Sequence, residues 1–107
     1  MSFEIVIKPK AKWDIRKKES YLMRERDSRA VRKWQAQVLR FRTQLAIDPH
    51  RYPQADEAEE LGLDLRELII GGRRGTAHRV LFTVVDNSVI VQRVRQAAQD
   101  RLTEDDL

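Results

Sequence analysis

An imidazole and a guanidinium stand side by side at the start of the most core-like stretch of this 107-residue chain. His78 and Arg79 lead directly into residues 80–85, a run of β-branched and apolar side chains. Arg73 and Arg74 precede them, Arg66 opens the preceding apolar segment and Arg95 closes the following one. Arginine forks match the oxygens of phosphate or carboxylate, and a histidine beside them can move a proton near neutral pH. The set suits binding of a partner that carries phosphate or carboxylate groups. The competing reading is structural: edge residues that keep a strand soluble, with Arg66 and Glu67 paired locally.

Other chemistries find less support. The stretch "GGRRG" at 71–75 lacks the lysine–serine/threonine pair of a phosphate-binding loop and reads as a turn. His50 and His78 do not form a ligand cluster and there is no cysteine, so neither a metal site nor a disulfide is expected, and no cofactor is implied. The four carboxylates within residues 56–60 are clustered in a segment that follows Pro49 and Pro53, and read as a solvated patch. No apolar run approaches the ~20 residues of a membrane span. The opening "MSFEIVIKPK" lacks the basic start of a signal peptide, which points to a reducing cytoplasm.

Charge is high in both signs, and its placement says more than the net +4. Residues 8–42 carry thirteen Lys and Arg against four Asp and Glu, a local +9, whereas residues 43–67 carry two against seven, a local −5. A basic segment beside an acidic one suits a polyanion or an acidic protein partner, and also a pair of ordinary solvated helices. Lys17, Lys18, Arg29, Arg32, Lys33 and Arg40 are the candidate partner-binding residues in the basic segment.

The elements that must position these groups follow from periodicity. Phe3, Ile5 and Ile7 alternate with polar residues as in a strand, and Pro9 can open a helix. From Lys10 to about Arg26, Ala11, Ile15 and Leu22 share one helical face, with Trp13 and Tyr21 nearby. Asp27 or Ser28 can cap a second helix, in which Val31, Trp34, Val38, Phe41 and Leu45 recur at steps of three and four until Asp48-Pro49. Such a tight connection predicts an antiparallel helical hairpin. Residues 49–61 read as a surface loop or short helical turn. "LDLRELIIG", "AHRVLFTVV" and "SVIVQRV" then read as three strands, the last two joined by Asp86-Asn87, and "TEDDL" can form a capped turn at Thr103. The fold class is α+β in the order β-α-α-β-β-β, an antiparallel sheet with a two-helix hairpin on one face, and residues 1–107 form a single domain.

A two-residue hairpin loop sets His78 opposite Arg95, Val80 opposite Arg93 and Arg79 opposite Val94. Val80, Phe82, Val84, Val89 and Val91 then face the helices, with His78, Arg93 and Arg95 at the far end. Arg79, Leu81, Thr83, Val85, Ile90, Gln92 and Val94 form a mixed face open to a partner. His78, Arg79 and Arg95 should gather at one sheet end near Arg66, Arg73 and Arg74, and Arg79 should have no intramolecular ion pair.

Taken in order, an opening strand with "PKAKWDI", the helix "AVRKW" ending in "DPHRYP", and the β-half "LRELIIGG", "HRVLFTVVDNSVIV" and "VRQAAQDRLTEDDL" resemble the RelE/ParE superfamily of toxins from bacterial toxin–antitoxin modules, often called plasmid-stabilisation or addiction toxins. The resemblance covers nearly the whole chain and rests on order and spacing. It implies a growth-inhibiting toxin neutralised by a cognate antitoxin, whose acidic or amphipathic segment wraps it in a hetero-oligomer.

RelE-like members cleave mRNA on the ribosome without metal, and ParE-like members poison DNA gyrase. By the resemblance, Arg79 matches an arginine that contacts the scissile phosphate, His78 replaces the tyrosine before it, and Arg66 opens the basic stretch of the preceding strand. Catalysis of the RelE kind would draw on Arg79, His78, Arg66 and Arg95, with His78 or Glu67 for proton transfer. Target binding would draw on Arg66, Arg73, Arg74, Arg79 and Arg95. Leu68 stands where a second lysine is usual, Gln96 where a histidine is common, and "DRLTEDDL" lacks the nuclease tyrosine. These departures, with the long helical hairpin, favour the ParE-like gyrase poison over the ribosome-dependent endoribonuclease. A basic nucleic-acid-binding module or degenerate family member is the reading from outside the toxin class.

Overall fold

The computed structural model describes residues 2–72, 77–99 and 101–107. Strand β1 (Glu4–Ile7) leads into helix α1 (Pro9–Glu25), with Pro9 in its first turn where a missing N–H costs nothing. Asp27 caps helix α2 (Ser28–Ile47) by accepting the Ala30 N–H at 2.9 Å. The Trp34 indole of α2 donates to the Ile15 carbonyl of α1 at 3.2 Å, one link between the two helices. A 3-10 turn (Pro49–Arg51) and a single-turn helix α3 (Ala58–Leu61) lead to β2 (Arg66–Ile70), β3 (His78–Val85) and β4 (Ser88–Gln96). The final turn, Glu104–Asp106, has a capping box in which Thr103 and Asp106 satisfy each other's backbone groups.

The sheet order is β1-β4-β3-β2. β2, β3 and β4 form the antiparallel meander, but β1 runs parallel to β4, so the sheet is mixed rather than antiparallel throughout. A meander leaves two outer edges, and β1 takes that of β4: Glu4 N–H donates to the Asn87 carbonyl at 2.9 Å and Lys8 N–H to the Val91 carbonyl at 3.1 Å. Asp86 adopts a left-handed conformation (φ 52°) in the two-residue turn joining β3 and β4, as that turn requires.

One core lies between the helices and the sheet. Trp34, Phe41 and Leu45 from α2 pack with Val80, Phe82, Val89, Val91 and Val94, and Val38 packs partly buried at its margin. A second, smaller core lies on the other face, where Ala55, Ala58, Leu65 and Leu102 cover Leu81. The face expected to be open is thus partly closed by residues 55–65 and the end of the chain. Leu81 is the reason: a fully buried leucine on that side demands an apolar cover.

The strand register also departs from expectation. Near the turn it is as expected, with Val84 opposite Val89 and Phe82 opposite Val91, but beyond it Leu81 pairs with Arg93 and Arg79 with Arg95. Gln92 is the extra residue of a β-bulge. One added residue moves every following side chain to the opposite face. Val94 therefore enters the main core, and Arg93 and Arg95 leave the helix side for the face of Arg79.

Candidate functional site

Arg79 is not free. Its guanidinium donates to both Glu57 oxygens, at 2.9 and 2.6 Å, and through Nε to Glu67. Glu57 is only 1% exposed and also accepts the Leu102 N–H at 3.0 Å. The Arg79 hydrogen bonds hold the Glu57 carboxyl down to about 2 against the opposing effect of burial. Arg79 is in turn raised above its usual range, chiefly by its hydrogen bonds to Glu57. The expectation of an unpaired Arg79 fails because it considered only the strand opposite, whereas the partners come from the α3 segment and from β2. Glu57, expected in a solvated patch, is the exception among its acidic neighbours: Asp56, Glu59 and Glu60 are exposed.

Beside Arg79 lies a second ion-pair cluster. Arg93 forms a two-pronged pair with Asp14 of α1, both contacts at 2.8 Å, and the same carboxylate accepts the Val94 N–H at 2.9 Å. That pairing raises the Arg93 guanidinium further. Asp14 thus ties α1 to the part of the β4 edge that β1 does not reach. Arg95 donates to Asp106 at 3.1 Å. The Thr103 N–H, then burial acting against it, then Arg95 set the Asp106 carboxyl, and the net shift is downward.

The remaining sequence-predicted residues are dispersed. Arg66 shares a strand face with Leu68 and Ile70 of the main core, and donates to the His50 and Tyr52 carbonyls at 3.1 and 2.8 Å and to Asp64 at 3.4 Å. His78 is buried on the helix side, its ring 4.9 Å from that of Trp34. Arg66 and His78 therefore lie on one face of the sheet, and Arg79 and Arg95 on the other. Arg73, Arg74 and Gly75 of the "GGRRG" stretch lie outside the described residues. Among the described residues, no group of three or more His, Asp or Glu is placed to hold a metal ion, and no helix is long and apolar enough to cross a membrane.

A cleft of about 660 Å³ lies between the facing halves of α1 and α2 and the end of the sheet. His78 and Trp34 lie at its inner side, and Trp13, Tyr21, Lys17, Lys18, Arg26 and Lys33 contribute to its lining. Trp13 and Tyr21 are 57% and 48% exposed. The Lys17 ammonium lies 4.8 Å from the Trp13 ring centre and that of Lys18 5.2 Å from Tyr21, positions that favour cation–π attraction. Burial, then the charge of Arg26, lowers the Lys18 ammonium below its usual range. Crowded cations of this kind are relieved by a bound anion. Of the candidate partner-binding residues, Lys17, Lys18 and Lys33 line this cleft, while Arg29, Arg32 and Arg40 are exposed elsewhere on α2. Sequence reasoning missed the cleft itself, although the exposed Trp13 and Tyr21, eight residues apart on one helix, were its visible sign.

No protein-family model and no curated protein matches the sequence. Among solved structures the chain is similar to one described as the chromosomal ParDE TA (toxin–antitoxin) system from P. aeruginosa, with a TM-score of 0.67 and 14% identity, over 88% of this chain and 95% of that one. The likeness is consistent with the RelE/ParE resemblance in the sequence. With its mixed four-stranded sheet and long helical hairpin, the chain has a ParE-like fold.

Proposed function

We propose that this chain is the toxin of a type II toxin–antitoxin pair, that it inhibits growth by binding a nucleic-acid machine, with DNA gyrase the favoured target, and that a cognate antitoxin neutralises it. The ParE-like fold supports the class of protein. The observation that carries the choice of a binding mode is the engagement of Arg79 by Glu57 and Glu67. A nuclease of the RelE kind needs that arginine on a phosphate and a proton-transfer group beside it. Here Glu57 and the proton-transfer candidate Glu67 are both ion-paired to it, which leaves its guanidinium engaged, and His78 is buried on the opposite face.

For the antitoxin, the cleft between the helices is the best fit. It offers exposed aromatic rings beside cations, which suits a segment carrying both apolar and acidic side chains. Inducible expression, with and without any small reading frame found to adjoin the gene, tests the pairing: growth should stop without such a neighbour and resume with it. Purified protein should then block DNA supercoiling by gyrase and leave cell-free translation running. Arrested translation with normal supercoiling would replace the gyrase reading by the ribosomal one, and harmless expression would remove the toxin reading.

A further inference from the structure

The charges that line the cleft between α1 and α2 do not cancel. Among the described residues, its lining carries the cations Lys17, Lys18, Arg26, Lys33 and Arg93, and a single carboxylate, Asp14. Asp14 is committed to Arg93 and to the Val94 N–H. Among the described residues, no carboxylate lies within ion-pair distance of Lys17, Lys18, Arg26 or Lys33. We infer that this cleft is a binding site for a nucleoside polyphosphate, with its phosphates on Lys18, Arg26 and Lys33 and its base stacked on the exposed rings of Trp13 and Tyr21.

Each part of the ligand answers a separate feature of the cleft. A polyphosphate concentrates several negative charges on a short scaffold, whereas a carboxylate brings one. Lysine ammoniums meet phosphate as point charges and an arginine fork meets it with two parallel hydrogen bonds. The Lys18 ammonium is held below its usual range by burial and by the charge of Arg26, a repulsion that a bound polyanion removes. The base has a place as well. Trp13 and Tyr21 expose about half of their surface to the same cleft, and any base can stack on such a ring because each has a π-face. Lys17 and Lys18 hold their ammoniums 4.8 and 5.2 Å from those ring centres, so positive charge stands next to the stacking surfaces. Trp34 and His78 close the inner side, which suits a compact ligand better than a strand passing through. The volume of about 660 Å³ also falls within the roughly 300–1,000 Å³ of small-molecule sites. This inference concerns the isolated chain and holds or fails whether or not the chain is a toxin.

The test uses the full chain at low salt, with calorimetry and tryptophan fluorescence as readouts and ATP, tripolyphosphate and adenosine as probes. ATP should bind, and tripolyphosphate and adenosine should each bind roughly ten-fold more weakly, because each lacks one half of the contacts. This comparison needs no variant to fold. Arg26→Gln should weaken ATP and leave adenosine unchanged, whereas Trp13→Leu should weaken ATP and leave tripolyphosphate unchanged. Arg40→Gln, exposed on α2 away from the cleft, should leave all three unchanged. Absence of binding at about 1 mM ATP would overturn the inference. Equal affinity for tripolyphosphate would reduce the cleft to a general polyanion site, and tighter binding of an oligothymidylate than of ATP would give it to single-stranded nucleic acid; either result rejects the nucleotide. Unaltered ATP affinity in folded Arg26→Gln and Trp13→Leu would place any bound nucleotide elsewhere and reject the site.

Discussion

Arg79 and Arg95 stand directly opposite each other on β3 and β4, two like charges in paired positions on the same face. Such a pair repels, and the structure answers each charge with a different segment. Arg79 turns to Glu57 and Glu67, and Arg95 to Asp106 of the final turn. The face that carries both arginines is therefore organised by acids that come from three separate parts of the chain.

The first consequence concerns stability. Arg79→Ala leaves Glu57 buried with its charge unanswered, and removal of one partner from a buried pair costs about 3–5 kcal/mol. Urea unfolding should show a loss of that size, not the half kcal/mol of an ordinary surface substitution. The double substitution Arg79→Met/Glu57→Leu should recover much of the loss, because no unpaired charge remains. A fully stable Arg79→Ala would show that Glu57 finds water or another donor.

A second expectation concerns acid. The Glu57 carboxyl titrates at about 2 in the folded chain, below its ordinary value of 4.5. A carboxyl depressed by folding contributes stability that is present above its unfolded value and lost as pH falls through the folded one. For Glu57 that window runs from about 4.5 down to about 2, and the contribution is on the order of 3 kcal/mol. Asp106, also depressed, acts in the same direction. Thermal melts from pH 6 to pH 2 should fall steeply for the native chain and less steeply for Glu57→Gln.

Trp34 is the third test. It is 3% exposed, packs in the main core, and donates its indole N–H to Ile15. Trp34→Ala should cost roughly 3–5 kcal/mol, whereas Trp34→Phe should keep most of the packing and lose the hydrogen bond. Chemical denaturation of the two variants separates these contributions.

The fourth concerns the cleft between the helices. Lys17→Glu and Lys33→Glu together reverse two charges of its lining. Lys17 and Lys33 are exposed, so the fold should change by no more than about ±0.5 kcal/mol per site. Association with an acidic antitoxin segment should slow markedly, and the difference from the native chain should shrink as salt rises. Stopped-flow association at two salt concentrations is the measurement.

Much of the scaffold was legible because local rules and tertiary packing agree there. The three-and-four spacing from Val31 to Leu45 marks the buried side of α2, Asp27 does cap it, and Asp86-Asn87 does form the tight turn. The candidate site was less legible. Glu57 sits within an acidic run that reads as solvated, and only the fold brings Arg79 and the Leu102 N–H to it. The bulge did leave a trace: Val89 and Val91 are two apart but Val94 is three further on, a break in alternation that an extra residue explains. The parallel placement of β1 left none, because strand periodicity does not encode direction.

The bulge at Gln92 also determines which edits this chain can survive. Removing that one residue would restore regular alternation between β3 and β4, yet it would turn Arg93 and Arg95 toward Phe82 and Trp34 and expel Val94. Substitution at the position is mild by comparison, since its side chain only links Lys8 to Thr83 across the sheet. For related chains this makes length at the bulge, rather than identity, the quantity to align: a sequence one residue shorter here would have to carry its cations in the opposite phase.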